Sequence, residues 1–467
     1  MHFSALVLFA SQAPLVPDHV SPEESSISFH VAALWNLKHQ GSRVGSPPSP
    51  LKLTASTTDP TGRAELALQS LQIWYNAGTG LWDTSGWWNS ANAMTMVANL
   101  AKADSNAQVK DLATRVFANT IMQAPAKNPQ PGVEGDANAV QTTDEPSNST
   151  ESASGYYKSM GTNDEPVSTY PDGWSQIVGE YVDIKSLPIF SKAGMIGAAA
   201  PDPNQWLDGF YDDDLWWALG WIGAYDVTGD TQYLTLAGGI FKAVTKSWPT
   251  VCGGGIYWSW EREYTNAIAN ELFLSTAAHL ANRVPEGTAE GQKGYYVDWA
   301  KKELDWFVNS GMINEQGTIN DGLDSNCKNN NRTAWSYNQG VILNGLVELD
   351  RASPDPSHLD LANRIAKAAI EELADENGVI HDKCGPTCGP DASQFKGIFA
   401  RGLQALQEAS PDQLYENTIK VNADSVWNND RDEANQLSIN WAGPFIAPAN
   451  ATTHSSAMDV LVAALTV

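Results

Sequence analysis

Apolar positions recur with helical periodicity along most of this 467-residue chain, and alternating strand-like patterns are scarce. Turn-forming sequences such as residues 227–230 and 352–355 separate the periodic segments. The pattern predicts about twelve helices and an all-α protein. Their predicted first residues are Thr61, Asn89, Asn106, Tyr211, Thr231, Thr265, Gly291, Ser336, Pro356, Asp391, Pro411 and Thr453.

Every second predicted helix opens with polar residues and continues as a long apolar stretch. The openings lie at Asn89, Tyr211, Asn266, Tyr337, Asp391 and Thr453. A helix that is apolar on most faces must be buried on most faces, whereas the alternate helices, such as the one containing residues 299–307, are amphipathic. Inner helices surrounded by outer ones explain this better than an open solenoid. We therefore expect an (α/α)6 barrel of six helical hairpins, with a groove at the N-terminal ends of the inner helices.

The interval between the polar openings at Asn89 and Tyr211 is longer than the other intervals. Residues 125–200 account for the excess; they hold clusters of Pro, Ser, Thr and Glu without a clean helical pattern. They indicate an insertion between repeats, although an error in the gene model would give the same pattern. Residues 1–13 resemble a short secretory signal, and residues 14–58 are a Pro- and Ser-rich lead-in that we expect to be disordered. The barrel domain is thus expected over residues 59–467.

Charge excludes several kinds of partner. The chain carries 28 basic and 54 acidic residues, a formal net charge of −26. Nucleic acids and anionic membrane surfaces need a basic face, so neither is expected as a partner. A membrane span would need about 18 consecutive apolar residues, and the sequence has no such run.

The cysteines and glycosylation motifs favour secretion. Four cysteines occur, at Cys252, Cys327, Cys384 and Cys388, and three pairings are possible. For Cys384 and Cys388 a disulfide is favoured over zinc, because no His lies at zinc-finger spacing nearby. Glycosylation sequons occur at Asn148, Asn331 and Asn450. The C-terminal residues lack the polar spacer of a lipid-anchor signal, so we expect a released, soluble, monomeric protein.

The most informative motif is the run of three aspartates that follows Tyr211. They occupy the first turn of an otherwise apolar helix. Helix capping and compensation of the helix dipole would account for one aspartate. Three in succession repel one another, and two of them continue into a segment that should be buried. The run therefore indicates function rather than helix stability.

Two adjacent carboxyl groups suit glycoside hydrolysis. Retaining glycosidases hold a nucleophile and a general acid about 5–5.5 Å apart. Neighbouring helix residues point about 100° apart around the axis, so two short aspartates can flank one sugar carbon. The helix N-terminus favours ionisation of one carboxyl group, and the resulting charge favours protonation of the other.

Two other kinds of protein could be proposed for this sequence, and neither fits it as well. A Mg²⁺ and diphosphate site of the class I terpene synthase type would need an acidic residue at Trp216, and its second metal motif has no convincing match. A sugar-binding module without catalysis would not explain the aspartate run. The sequence thus predicts an enzyme with no cofactor and no metal.

Eight motifs, in order, resemble glycoside hydrolase family 76, the α-1,6-mannanases, in its secreted fungal branch. They are WWNSANA at Trp87, YDDDLWWALGWIGAYDVTGD at Tyr211, CGGGIYWS at Cys252, NAIANELFLS at Asn266, INDGLD at Ile319, WSYNQGVI at Trp335, QFKGIFAR at Gln394 and WAGPF at Trp441. The resemblance implies an (α/α)6 barrel that cleaves α-1,6-linked mannan or mannooligosaccharides with retention. A related fungal branch moves glycans attached to lipid anchors, so a transglycosidase remains an alternative, as does a non-catalytic mannan-binding protein.

The resemblance also implies roles for individual residues. Asp212 would be the nucleophile and Asp213 the acid/base. The family commonly has Asn or Glu at the next position, so Asp214 makes Asp213 and Asp214 the alternative pair. The candidate substrate-binding residues are Trp88, Asn89, Asn92, Tyr211, Trp216, Asn266, Asn270, Tyr337, Asn338, Gln339, Asp391 and Lys396.

Structural roles compete with several of these assignments. The Asn residues could instead cap or join inner helices, and Lys396 could form an ion pair with Asp391. Asp321, Asp324 and the segment 258–260, which reads WSW, are weaker candidates. A turn would explain the two aspartates, and core packing would explain the tryptophans.

Overall fold

The computed structural model describes residues 59–133, 155–174 and 201–467. The predicted signal-like segment 1–13, the lead-in 14–58 and the remainder of the predicted insertion lie outside the described residues. Part of that insertion, residues 155–174, is described.

The described residues contain twelve α-helices, each beginning within four residues of its predicted start. They are α1 Pro60–Leu71, α2 Trp87–Ala103, α3 Ala107–Gln123, α4 Tyr211–Thr228, α5 Thr231–Val244, α6 Ala267–Ala281, α7 Lys293–Ser310, α8 Ser336–Ala352, α9 Pro356–Leu373, α10 Phe395–Ala409, α11 Gln413–Asn429 and α12 Ala451–Ala463.

The even-numbered helices form a closed inner ring. Each contacts the next in order, and α12 contacts α2 to close the ring. The odd-numbered helices pack outside, most of them against two inner neighbours. The predicted (α/α)6 barrel of six helical hairpins is confirmed, and the helices that open with polar residues are the inner ones.

Burial explains the division between inner and outer helices. In α4, 14 of 18 residues are buried, whereas in the outer α9 only eight of 18 are. Small residues let inner helices approach closely: a Cβ added at Gly402 of α10 would lie 2.1 Å from the carbonyl oxygen of Gly340 of α8. Because the inner helices are enclosed along their length, polar side chains collect at their ends.

Two antiparallel hairpins accompany the helices. Strands β1 Tyr75–Asn76 and β2 Leu81–Trp82 precede α2, and β3 Tyr157–Met160 pairs with β4 Pro166–Thr169. The second hairpin lies inside the insertion, where the sequence indicated only the absence of a clean helix. Strands of two to four residues are too short to produce a recognisable alternation.

Two disulfides link loops of the barrel. Cys252 pairs with Cys327, and Cys384 pairs with Cys388, so the disulfide expected within residues 384–388 is confirmed. No helix in the described ranges is both long and apolar enough to cross a membrane.

Gly402→Ala should destabilise the barrel. The new methyl group would press against backbone of α8, which cannot move aside as a flexible side chain could. We expect a loss of roughly 1–3 kcal/mol in the free energy of unfolding, measured by urea denaturation. Gln404→Ala, on the same helix, is the control and should change stability little. Equal stabilities of the two variants would contradict the close contact.

Stability should also fall in acid because of His454. Its Nδ1 accepts a hydrogen bond from the backbone N–H of Leu437, and its Nε2 lies 2.8 Å from the carbonyl oxygen of Ala67. Burial lowers the pKa of His454 to about 4 from its ordinary 6.5. As the pH falls, the unfolded chain takes up this proton first, so stability is lost between pH 6.5 and about 4.

The test compares free energies of unfolding at pH 7 and pH 4.5 for the wild type, His454→Gln and the exposed-residue control His381→Gln. Removing His454 should flatten the pH dependence by roughly 2–3 kcal/mol. The control should retain the slope of the wild type. Parallel slopes for all three proteins would rule out His454 as a source of acid sensitivity.

Candidate active site

The aspartate run begins α4 at the end of the barrel where the inner helices start. The backbone N–H of Tyr211 donates to the carbonyl oxygen of Trp258 (2.9 Å), and Phe210 forms a β-bridge with Ser259. The segment at Trp258 therefore holds the first turn of α4 in place. Asp212 and Asp213 are both buried there.

The three aspartates of α4 do not share one environment. Asp214 turns away and accepts a hydrogen bond from the backbone N–H of Asp208 (3.0 Å). Asp212 and Asp213 both face the Nζ atom of Lys158. Side-chain direction thus groups Asp212 with Asp213 and gives Asp214 a role in anchoring the loop before α4.

Burial dominates the electrostatics of this cluster. It raises the pKa of Asp212; the ammonium of Lys158 acts in the opposite direction, and the nearby Asp213 adds to the rise. Burial also raises the pKa values of Asp214 and Asp208 well above their ordinary range. Carboxyl groups crowded together out of water therefore resist full ionisation.

Lys158 is a site residue that the sequence did not indicate. It lies on β3, and its Nζ atom is 2.6 Å from Asp212 Oδ2 and 2.7 Å from Asp213 Oδ1. The Lys158 side chain is only 3% exposed. Burial lowers the pKa of its ammonium, but Asp212 and Asp213 outweigh this effect and the pKa is raised overall. The lysine therefore carries a positive charge between two aspartates.

A second hairpin residue, Tyr156, reaches the same aspartates. Its hydroxyl donates to Asp213 Oδ2 at 2.5 Å. Its ring lies 5.1 Å from that of Tyr170, whose hydroxyl accepts a hydrogen bond from the backbone N–H of Trp87. The insertion thus contributes several groups to the site, although its composition resembles that of a loop.

Stacked aromatic rings lie beside the aspartates. Trp88 of α2 stacks on Trp216 of α4, with ring centroids 5.8 Å apart. The indole N–H of Trp88 donates to Asp391 Oδ1 (2.7 Å), and the other oxygen of Asp391 accepts from the backbone N–H of Ser168. Tyr337 stacks on Phe395 at 3.8 Å. The predicted residues Trp88, Trp216 and Asp391 are therefore brought together.

Several predicted sugar-binding amides are used to hold the fold. The side-chain oxygen of Asn270 accepts from the backbone N–H of Ile256, and that of Gln339 accepts from Ile319. Asn92 accepts from Arg401, and Asn266 caps α6. These four side chains join helices and loops. For the three Asn residues this is the structural role that competed with sugar binding in the sequence.

Two other amides keep unused hydrogen-bonding atoms. Asn338 is fully buried, and neither its side-chain oxygen nor its nitrogen has a partner within the described residues. The side-chain nitrogen of Asn89 likewise lacks one in that part of the chain. Buried amides rarely stay unpaired. Among the predicted amides, those of Asn338 and Asn89 are therefore the best candidates to bind a polar ligand.

Lys396 and the weaker candidate Asp324 have structural partners. Lys396 does not pair with Asp391: it donates to the carbonyl oxygen of Ile439 (2.6 Å) and lies over the ring of Trp441. Burial lowers the pKa of Lys396 to about 8. The ion pair with Asp391, which was the structural alternative to sugar binding, is not formed, and a carbonyl oxygen and a ring are its partners instead. Asp324 caps a turn through the N–H groups of residues 326 and 328.

Asp321 is buried and accepts a hydrogen bond from the hydroxyl of Tyr264. Burial raises its pKa to about 6. Trp258 is also buried and packs with Phe210, so the WSW segment contributes to the core beside the site.

The barrel also holds a cavity of about 390 Å³ farther along the inner helices. Trp216 lines this cavity and stacks on Trp88, whereas Asp212 and Asp213 are not among its lining residues. Over the aspartates, the groove expected at the N-terminal ends of the inner helices is covered by the β3–β4 hairpin. No cluster of His, Cys, Asp or Glu suited to a metal ion occurs in the described ranges.

Solved structures with the same fold include bacterial and fungal proteins. The GH76A α-1,6-mannanase of Salegentibacter sp. HEL1_6 aligns with a TM-score of 0.63 at 17% identity, covering 87% of this chain and 99% of that one. An inactive variant of that mannanase, with two consecutive aspartates changed to asparagine, is in complex with α-1,6-mannotriose (TM-score 0.62, 16% identity, coverage 87% and 99%). Dfg5 from Chaetomium thermophilum, in complex with glucosamine, aligns with a TM-score of 0.62 at 15% identity, covering 89% and 92%.

Curated relatives come from yeasts. Mannan endo-1,6-alpha-mannosidase DFG5 of Saccharomyces cerevisiae is 24% identical over 261 residues, which is 51% of this chain and 56% of that protein. Mannan endo-1,6-alpha-mannosidase DCW1 of the same yeast is 28% identical over 223 residues, 43% and 47% of the two chains. The chain thus spans about half the length of the curated relatives it matches.

The family itself is recognised over a longer stretch. The sequence model of glycosyl hydrolase family 76 matches residues 178–466, which is more than half of the chain and runs from before α4 to the end of α12. The resemblance drawn from the eight motifs is confirmed, and the chain belongs to glycosyl hydrolase family 76.

Proposed function

We propose that the protein is a retaining endo-α-1,6-mannosidase that hydrolyses the α-1,6-mannan backbone of fungal cell-wall mannan. The observation that carries the proposal is the convergence of two carboxyl groups on one point. Because one nitrogen lies 2.6 Å from an oxygen of Asp212 and 2.7 Å from an oxygen of Asp213, those oxygens are at most about 5.3 Å apart. Retaining glycosidases need a separation of about 5–5.5 Å, and inverting ones about 6.5–9.5 Å.

The proposed reaction has two steps. Asp212 attacks the anomeric carbon while Asp213 protonates the departing glycosidic oxygen, so that the C–O bond breaks and a glycosyl ester of Asp212 forms. Water then attacks the same carbon, Asp213 takes its proton, and the ester bond breaks. Two inversions leave the sugar with its original configuration.

Aromatic rings near the aspartates and two buried amides among the predicted site residues support a sugar as the ligand. The stacked rings of Trp88 and Trp216 offer apolar faces for the C–H side of a pyranose. The unpaired amides of Asn89 and Asn338 are suited to hydroxyl groups. The Salegentibacter mannanase, inactivated at two consecutive aspartates and bound to α-1,6-mannotriose, is consistent with this assignment.

Secretion forms part of the proposal. The two disulfides suit an oxidising compartment, because disulfides are rare in proteins that stay in the cytosol. Mannan is found in the fungal cell wall, which lies outside the cytosol.

Glycosyl transfer is the second candidate. Both reactions pass through the glycosyl ester of Asp212 and differ only in whether water or an acceptor sugar attacks it. Product analysis with linear α-1,6-mannan, in the presence and absence of an acceptor mannooligosaccharide, separates the two reactions. Hydrolysis gives new reducing ends, whereas transfer gives lengthened acceptors.

Asp212→Asn and Asp213→Asn should each lower the rate of mannan cleavage by about 10³-fold or more, since each removes a reacting group. Asp214→Asn is the matched control, because an asparagine oxygen can still accept from the N–H of Asp208. Reducing ends released over long incubations measure activity, and circular dichroism checks the fold. Loss of activity in Asp214→Asn, with activity kept in Asp212→Asn, would instead identify Asp213 and Asp214 as the pair.

The roles within the pair can be separated with an aryl mannoside whose leaving group needs no protonation. Asp213→Asn should still form the glycosyl ester from this substrate, and azide should restore turnover by replacing the activated water. Asp212→Asn should form no ester and respond little to azide. The opposite result would exchange the two roles and leave the retaining mechanism in place.

Metal removal should leave cleavage unchanged. The proposed steps use only two carboxyl groups and water, so incubation with EDTA should not alter the rate of reducing-end release. Strong inhibition by EDTA, reversed by adding Mg²⁺, would contradict a metal-free mechanism.

A further inference from the structure

The β3–β4 hairpin, residues 155–174, is fixed across the aspartates by contacts to three separate parts of the barrel. Lys158 and Tyr156 bond to the aspartates of α4. On β4, the backbone N–H of Ser168 donates to Asp391, and in the turn before β4 the Glu165 carboxylate accepts from the backbone N–H of Gly389. A further hydrogen bond joins Tyr170 to α2. The hairpin therefore lies over the mouth of the barrel.

Lys158 occupies the place that the reaction requires. Reacting atoms must come within about 3–3.5 Å of the catalytic oxygens. The ammonium of Lys158 already lies 2.6 and 2.7 Å from one oxygen of each aspartate. An anomeric carbon and a glycosidic oxygen cannot enter while the lysine is there. The hydroxyl of Tyr156 takes a second oxygen of Asp213 as well.

The rings around Lys158 close the remaining space. Its Nζ atom lies 5.5–5.8 Å from the ring centroids of Trp88, Phe210 and Trp258. Trp88 is also one of the two stacked rings proposed to support the sugar. The hairpin therefore covers both the reacting groups and a stacking surface, and Asp212, Asp213 and Trp88 are all buried.

We infer that the hairpin is a built-in inhibitor, and that mannan is cleaved only by molecules in which Lys158 has left the aspartates. The inference rests on the proposed function, because it concerns the regulation of the same site. The hairpin replaces the substrate with a protein group of complementary charge. Opening exchanges the two buried ammonium–carboxylate contacts of Lys158 for solvated charges, and the desolvation cost of the buried charges keeps the closed state reversible.

Lys158→Met isolates the charge. Methionine keeps an apolar stem among the rings but removes the ammonium, so the closed state would bury two aspartates without their cation. Leaving buried carboxylates without their cation is unfavourable, and displacement of the hairpin relieves that cost. Glu165→Ala removes a contact between the turn of the hairpin and the barrel, and it leaves Lys158, Asp212 and Asp213 unchanged.

The experiment compares kcat/KM on linear α-1,6-mannan for four proteins: the wild type, Lys158→Met, Glu165→Ala and Lys110→Met. Lys110 is exposed on α3, away from the hairpin contacts, and serves as the matched lysine control. We expect a rise of at least tenfold in Lys158→Met, a smaller rise in Glu165→Ala and no change in Lys110→Met. Circular dichroism checks that each variant is folded.

Binding of α-1,6-mannotriose, measured by isothermal titration calorimetry, provides a readout that does not need cleavage. Its affinity should also rise at least tenfold in Lys158→Met. Tighter binding without cleavage in any variant would uphold the inhibitor and reject the proposed hydrolysis. A fall in activity in both Lys158→Met and Glu165→Ala would overturn the inhibitor and make Lys158 a participant in the reaction.

Unchanged rates and affinities in both variants would overturn the inhibitor as well. If Lys158→Met does not fold, Glu165→Ala still decides between the outcomes, because it contacts neither aspartate. A rise in that variant supports inhibition by the hairpin, whereas an unchanged or lower rate rejects it.

Discussion

The site depends on the balance between two adjacent buried carboxyl groups and one ammonium. Out of water, neighbouring carboxylates repel each other and lose hydration, so burial raises the pKa of Asp212. Lys158 offsets that cost with a direct contact to each aspartate. The same burial can serve catalysis. Carboxyl groups that are held in place out of water can stabilise the positive charge that develops on the sugar in the transition state.

The barrel places this pair where a ligand can be recognised. Inner helices such as α4 are enclosed by neighbours along most of their length, so their first turns are where polar groups can gather. Trp88 and Trp216 come from neighbouring inner helices and stack beside the aspartates. Trp216 also lines the cavity farther along the inner helices, so this ring contributes both to the candidate site and to that cavity.

The helices and the aspartate pair could be predicted because their signals are local. Apolar periodicity located the twelve helices that the described residues contain, and the run after Tyr211 identified Asp212 and Asp213. The uses of Asn270 and Gln339 could not be predicted, since a polar residue at a helix start can bind a loop or a ligand equally well. Lys158 was missed because its contact with Asp212 joins residues 54 apart, across a segment whose composition indicated no structure.

The alternation of side chains along β3 has a consequence for how the hairpin can vary. Tyr156 and Lys158 are two residues apart, lie on one side of the strand and both reach Asp213, while the intervening Tyr157 pairs with Thr169. Deleting or inserting one residue just before Lys158 would exchange the two sides and present Tyr157 or Ser159 to α4. Inserting or deleting two residues would restore the original side. We therefore expect natural hairpins that keep both contacts with Asp213 to differ in length by even numbers of residues.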